Sequence, residues 1–350
     1  MAESTKIQWM DNLRVIATIS VIFLHVSASI LYRYGRVPSF VWWVGNVFDG
    51  SVRYCVPVFV MLSGALLLPR KINVMEFYKK RLIRVVLPFL FFACVYFIFA
   101  WCYKLTPKEK IYDTMHFSEW IISVLKKGIS FHFWFIYMLL GLYILMPFLG
   151  KWVRQFTERQ FYYFFGFWLL LLFINIPILY FLGNINFFTV QIFNRFAYIG
   201  YLVLGYYLSE KSFAKSQSNQ YGIICFLMGI LITIFGTYFL TTYRGHYDGF
   251  FYSFLSPNVL LASIGVLLLL KDSTLRNKAL ILICDFISKY SFGIYLVHIL
   301  VLDIFYLNGI YWTRWHPLLS VPFITLFCLL VSSIIIFILN KIPFGRYISG

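Results

Sequence analysis

Trp9-Met10-Asp11-Asn12-Leu13-Arg14-Val15-Ile16-Ala17-Thr18-Ile19-Ser20-Val21-Ile22-Phe23-Leu24-His25 reads as an apolar span that carries ionisable side chains. An Arg or Asp at mid-span costs about 2.5–3.5 kcal/mol on insertion scales, so such residues mark function. Arg14 and His25 are 11 positions apart. At about 100° per residue they return to one helix face, ~16 Å apart along the axis. One face of the first helix therefore presents a cation near one membrane surface and an imidazole deep inside.

The surrounding composition decides the class. Of 350 residues, 61% are hydrophobic, 22% aromatic and only 12% charged, about half the charged share of a water-soluble domain. Apolar runs at 13–32, 52–68, 82–103, 133–149, 161–182, 196–208, 222–243, 254–270, 291–306 and 318–339 mostly approach the ~20 residues a bilayer requires. The expectation is an all-α, polytopic membrane protein: a single bundle of about ten transmembrane helices spanning residues 1–350 as one domain. Runs 196–208 and 291–306 are short, so their helices must extend into the flanking residues or lie buried among neighbours. Arg14 and His25 also argue against a cleaved signal peptide.

Lysine and arginine concentrate in cytoplasmic loops. Arg70, Lys71, Lys79, Lys80, Arg81 and Arg84 fill the second loop, and Lys151, Arg154, Arg159, Lys211, Lys215, Lys271, Arg276 and Lys278 fall in the later even-numbered ones. With an even helix count, both termini are expected in the cytoplasm. The basic loop Lys104–Lys127 is the exception, and it also carries Glu109, Asp113 and Glu119. The net charge of +17 follows membrane topology, which excludes a nucleic-acid fold. The six cysteines show no paired redox or metal spacing and read as apolar filler. No metal motif, Gly-rich phosphate loop or nucleophile elbow occurs.

Several polar groups stand out against this background. Asp11 and Arg14, one helix turn apart, are spaced to pair. His25 offers a proton acceptor tunable near neutrality. Arg81 and Arg84, at i and i+3, could grip an anionic group at the entrance of the third span. His132 and Trp134 open the fourth span, where aromatic rings suit the face of a sugar. Ser291, Tyr295 and His298, at i, i+4 and i+7, form a polar stripe that must face protein or a water-filled cavity. Asp303 extends the polarity of that helix, with Arg53 and Arg314 as candidate partners on the outer side. Arg195 and Asp285 read as boundary anchors.

Taken together, these residues resemble acyltransferase family 3, integral-membrane acyltransferases that modify surface glycans. The resemblance rests on Asp11-Asn12-Leu13-Arg14 followed by His25, Val56-Pro57-Val58-Phe59 through Ser63-Gly64, Arg81 with Arg84, His132 to Phe135, and Ser291 to His298. It implies acetyl-coenzyme A as a cytoplasmic donor substrate rather than a tightly bound cofactor, and a glycan hydroxyl on the outer side as acceptor. It further implies a catalytic centre at His25 with Asp11 and Arg14, and donor contacts from Arg14, Arg81 and Arg84. His132, Trp134, Ser291, Tyr295 and His298 then form the acceptor or supporting polar site. No fused hydrolase domain of the kind found in longer members is expected. The competing reading is a glycan or small-molecule transporter, because buried charges also line translocation paths. It is weakened by the lack of an internal repeat and of paired broken helices.

Overall fold

The computed structural model describes residues 2–71, 73–102, 130–182 and 187–350, with the side chains of 1–7 and 174–195 left aside. Among the described residues the regular elements are helical: α1 (Ala2–Leu31), α2 (Ser39–Val52), α3 (Cys55–Leu67), α4 (Val74–Arg81), a π-helical turn (Leu82–Val86), α5 (Leu87–Cys102), α6 (Trp134–Val153), α7 (Glu158–Leu182), α8 (Phe187–Glu210), α9 (Lys215–Arg244), α10 (Pro257–Leu270), α11 (Lys278–Leu307) and α12 (Pro317–Lys341). Short 3-10 turns connect some of them.

Among the described residues, 8 helical stretches are long and apolar enough to cross a membrane. The remaining two expected spans fall in α7 and α8. The short run 291–306 lies inside a helix of 30 residues, α11, so it does extend into its flanks. The outer surface fits a lipid environment: Leu319, Phe323, Leu326 and Leu330 of α12 are exposed and apolar. The chain is a multi-pass membrane protein. The loop Lys104–Lys127 and the side chain of Arg195 lie outside the described residues.

Local chemistry sets the helix ends. Asn73 caps α4 by accepting from Glu76 N at 3.2 Å. Asn277 caps α11 by accepting from Ala279 N at 2.9 Å. Pro257 and Pro317 open α10 and α12 at positions where an amide hydrogen has no helical partner. Gly245, at φ 71°, closes α9 in the left-handed region. At the far end of α8, the buried Lys271 ammonium donates to the carbonyls of Leu208 (2.7 Å) and Lys211, holding a cation against a helix C-terminus.

The expected span at 52–68 begins earlier than its apolar run: residues 39–52 are also helical, and α2 and α3 run in sequence with a break at Arg53 and Tyr54. Asn46 and Asp49 of α2 are fully buried. Asn46 Nδ2 donates to the Ile234 carbonyl at 3.1 Å, which pins α2 to α9.

Helix α1 is central and packs on α2, α3, α11 and α12. Its polar start is tied down by Asn12 Nδ2 donating to Ser273 Oγ at 3.3 Å. Helices α3 and α8 meet through glycines, since a Cβ on Gly64 would lie 1.9 Å from the Leu202 carbonyl oxygen. Small residues allow such close approach where lipid supplies no hydrophobic drive between helices.

Candidate active site

Three histidines from separate elements converge in the bundle. The ring of His25 (α1) lies 5.2 Å from that of His298 (α11). His298 in turn lies 5.4 Å from His132, which sits on the 3-10 turn before α6. His132 and His298 are buried, whereas His25 is partly exposed. His298 Nδ1 donates to the Tyr295 carbonyl at 2.6 Å, one helix turn back. A carbonyl can only accept, so this bond leaves Nε2 of neutral His298 as a bare lone pair. Nε2 of His298 and of His132 are both buried without a hydrogen-bond partner. Tyr295 Oη donates to the His132 carbonyl at 2.5 Å, locking the stripe of α11 onto the turn that carries His132.

The predicted stripe therefore faces inward. Ser291, Tyr295 and His298 are all buried. Ser291 and Tyr295 line a cavity of about 580 Å³, and His298 lies one turn beyond it. The same cavity is lined by Arg14, Arg81, Arg84, Lys289 and Arg346, with no Asp or Glu side chain in its wall among the described residues. Arg14, Arg81 and Arg84 thus line one cavity, the grouping that the family resemblance implied. Asp11 and Arg14 pair at 2.6 Å. Ser288 Oγ completes a triangle, accepting from Arg14 at 2.7 Å and donating to Asp11 at 2.6 Å.

The placement of Arg81 and Arg84 follows from Pro88. A proline lacks the amide hydrogen for the carbonyl of residue i−4, here Arg84, and its ring crowds that carbonyl. The helix widens instead, with Leu87 N donating to Leu82 O in a π turn. Such turns recur at functional sites. The Arg81 guanidinium then lies 4.9 Å from the Tyr143 ring centroid and 5.2 Å from that of Phe77, while its Nε lacks a partner.

A second cavity, of about 550 Å³, includes Tyr32, Arg53, Trp134 and Tyr252 in its lining. Helix α1 and the turn that follows it link the two: Arg14 lines the first cavity, His25 meets the histidine cluster, and Tyr32, just past the end of α1, lines the second cavity. Tyr32 is 7 residues beyond His25. The cluster touches the first cavity through Tyr295, whose ring is 5.5 Å from that of His298. It approaches the second through Trp134, two residues from His132.

Lys289, Arg346, Ser288 and Arg53 were missed as site residues. Lys289 and Ser288 adjoin the α11 stripe, which was the available signal. Arg346 reaches the cavity because the segment after α12 folds back, with Asn340 Nδ2 donating to Ser349 Oγ at 2.8 Å. Asp303 is paired with neither Arg53 nor Arg314, since Arg53 binds Asp49 at 2.6 Å. Among the described residues no His, Cys, Asp or Glu cluster has metal-binding geometry, and all six cysteines are free.

Fold and site define an integral-membrane protein with an internal histidine cluster between a cation-lined cavity and an aromatic one. The chain belongs to acyltransferase family 3: the family model described as an acyltransferase domain matches residues 7–337. It is a membrane acyltransferase. No curated protein and no solved structure matches it.

Proposed function

We propose that the protein is an O-acetyltransferase moving an acetyl group from cytoplasmic acetyl-coenzyme A to a hydroxyl of a surface or lipid-linked glycan on the outer side of a bacterial inner membrane. In this reading both termini are cytoplasmic. The observation that carries it is the first cavity, lined by Arg14, Arg81, Arg84, Lys289 and Arg346, of which Arg14 alone is paired with a carboxylate among the described residues, and joined to the histidine cluster through Tyr295. Coenzyme A is a phosphate-rich ligand, and guanidinium groups hold phosphates by charge-assisted hydrogen bonds. The opening Trp9-Met10-Asp11-Asn12-Leu13-Arg14 further resembles that of the O-acetyltransferase of enterobacterial common antigen, which supports a lipid-linked polysaccharide as acceptor.

His25 is the catalytic imidazole. As general base it takes the acceptor hydroxyl proton while the oxygen attacks the thioester carbonyl. The carbon–sulfur bond breaks, and the proton passes to the departing thiolate. In the alternative route His25 itself accepts the acetyl group and then passes it to the hydroxyl. Rapid quenching with labelled acetyl-coenzyme A separates the two, because only the second places label on the protein. Arg81 and Arg84 bind the donor, and the Asp11–Arg14–Ser288 triangle fixes Arg14 towards it. His298 and His132 support His25 as neutral imidazoles.

Titration of coenzyme A into the protein in nanodiscs tests the donor assignment. Arg84→Ala with Arg346→Ala should weaken binding by about 10-fold or more, since a hydrogen bond to a charged group contributes roughly 1.5–3 kcal/mol. Unchanged binding would remove the cavity as donor site.

A further inference from the structure

The second cavity differs from the first in its electrostatics. Among the described residues its one lining cation, Arg53, is already matched: Asp49, one turn earlier on α2 and fully buried, lies 2.6 Å from Arg53 Nη2. The guanidinium sits 4.4 Å from the Tyr252 ring centroid and 5.7 Å from that of Phe254. Its Nε has no partner, and its Nη1 reaches only the Tyr252 carbonyl, at 3.5 Å. Arg53 thus keeps donor capacity while its charge is spent.

Most of the rest of the wall is aromatic, with Met138, Gly249, Ser253 and Leu255 between the rings. Trp134 stacks on Phe254 with centroids 5.7 Å apart and an interplanar angle of 22°, yet remains partly exposed. Tyr32 meets Tyr247 edge-on at 5.2 Å. Tyr252 is held by its hydroxyl donating to Asn46 Oδ1 at 2.5 Å. The volume, about 550 Å³, falls within the roughly 300–1,000 Å³ of small-molecule sites.

We infer that this aromatic cleft is the acceptor site and that it takes an uncharged sugar ring, packed on Trp134 with its hydroxyls towards Arg53 and the tyrosine edges. The inference rests on the acyl-transfer reading above. A carboxylate moved into this cleft would lose water without gaining an unmatched cation, a costly exchange. A pyranose instead buries its C–H face on rings and needs no counter-charge. Because Trp134 follows His132 by two residues, a hydroxyl of the bound ring is directed towards the histidine cluster.

Saturation-transfer NMR on the full protein in nanodiscs tests this with methyl glucoside, methyl galactoside, methyl N-acetylglucosaminide and, as the acidic probe, methyl glucuronide. The expected result is binding by at least one uncharged glycoside, weakened about 10-fold by Trp134→Ala and by Tyr247→Ala as each removes an aromatic surface. Coenzyme A titration of the same variants verifies folding and should match the wild type. Preference for the glucuronide, no binding by any uncharged glycoside, or binding indifferent to both substitutions would overturn the inference. His25-dependent turnover of acetyl-coenzyme A alongside such a result leaves acyl transfer standing and removes only this acceptor site. Glycoside binding without any turnover does the reverse.

Discussion

The imidazoles of His25 and His298 lie 5.2 Å apart between ring centroids, one from the first helix and one from the eleventh. The His298 proton is committed to the Tyr295 carbonyl at 2.6 Å. A neutral ring with an outward lone pair can support a proton on its neighbour, which is what a base at His25 requires.

His25→Ala should lower acyl transfer by about 100- to 10,000-fold, the usual contribution of a positioned proton-transfer group. Membrane abundance and coenzyme A binding should be retained, as measured by immunoblot and titration. Full activity in that variant would remove His25 from the chemistry.

His298→Gln should reduce turnover with donor affinity unchanged, because the side chain touches the cluster and not the cation-lined cavity. A measured pH profile separates roles: a supporting imidazole shifts the acid limb of activity, whereas a packing defect lowers the whole curve.

Ser288→Ala removes one corner of the triangle with Asp11 and Arg14. A typical hydrogen bond contributes about 1 kcal/mol net, so donor affinity should fall about 5-fold. Asp11→Asn should cost more, because it leaves Arg14 without its counter-charge. Isothermal titration with coenzyme A compares the two.

Pro88→Ala should let the Leu82–Val86 turn relax to a regular helix. An interior proline costs up to ~3 kcal/mol relative to alanine, so thermal stability in detergent should rise. Donor affinity should fall at the same time, because Arg81 and Arg84 rotate away from the cavity. A rise in both would show that the π turn does not position these arginines.

Gly64→Leu should sharply reduce folded yield, read by fluorescence-detected size exclusion. Even a Cβ at that position would meet the Leu202 carbonyl oxygen at 1.9 Å, and backbone cannot yield as a flexible side chain can.

The parts legible in the sequence were those written in local periodicity. The α1 placement of Arg14 and His25, the α11 stripe and most of the apolar spans are patterns within one helix, and the structure shows helices there. Ionisable residues inside apolar runs are conspicuous because lipid leaves them unsatisfied. The histidine cluster was not legible, because His25, His132 and His298 meet only through packing of distant elements. Arg346 joins the donor cavity only by chain reversal after α12. Helix α2 was hidden by the polar residues and Pro38 before it, although Asp49 and Arg53, at i and i+4, were a helix signal in plain view. Arg53 pairs with Asp49 on its own helical turn rather than with the distant Asp303.

The most direct test is to incubate the protein in nanodiscs with acetyl-labelled coenzyme A and an acceptor glycan extract, and to follow free coenzyme A and label transfer in wild type and His25→Ala. Coenzyme A release and labelled glycan in the wild type, both lost in His25→Ala, are the predicted result. Equal release and transfer by the two proteins, or neither in the wild type, would contradict the assignment of His25 as the acyl-transfer centre.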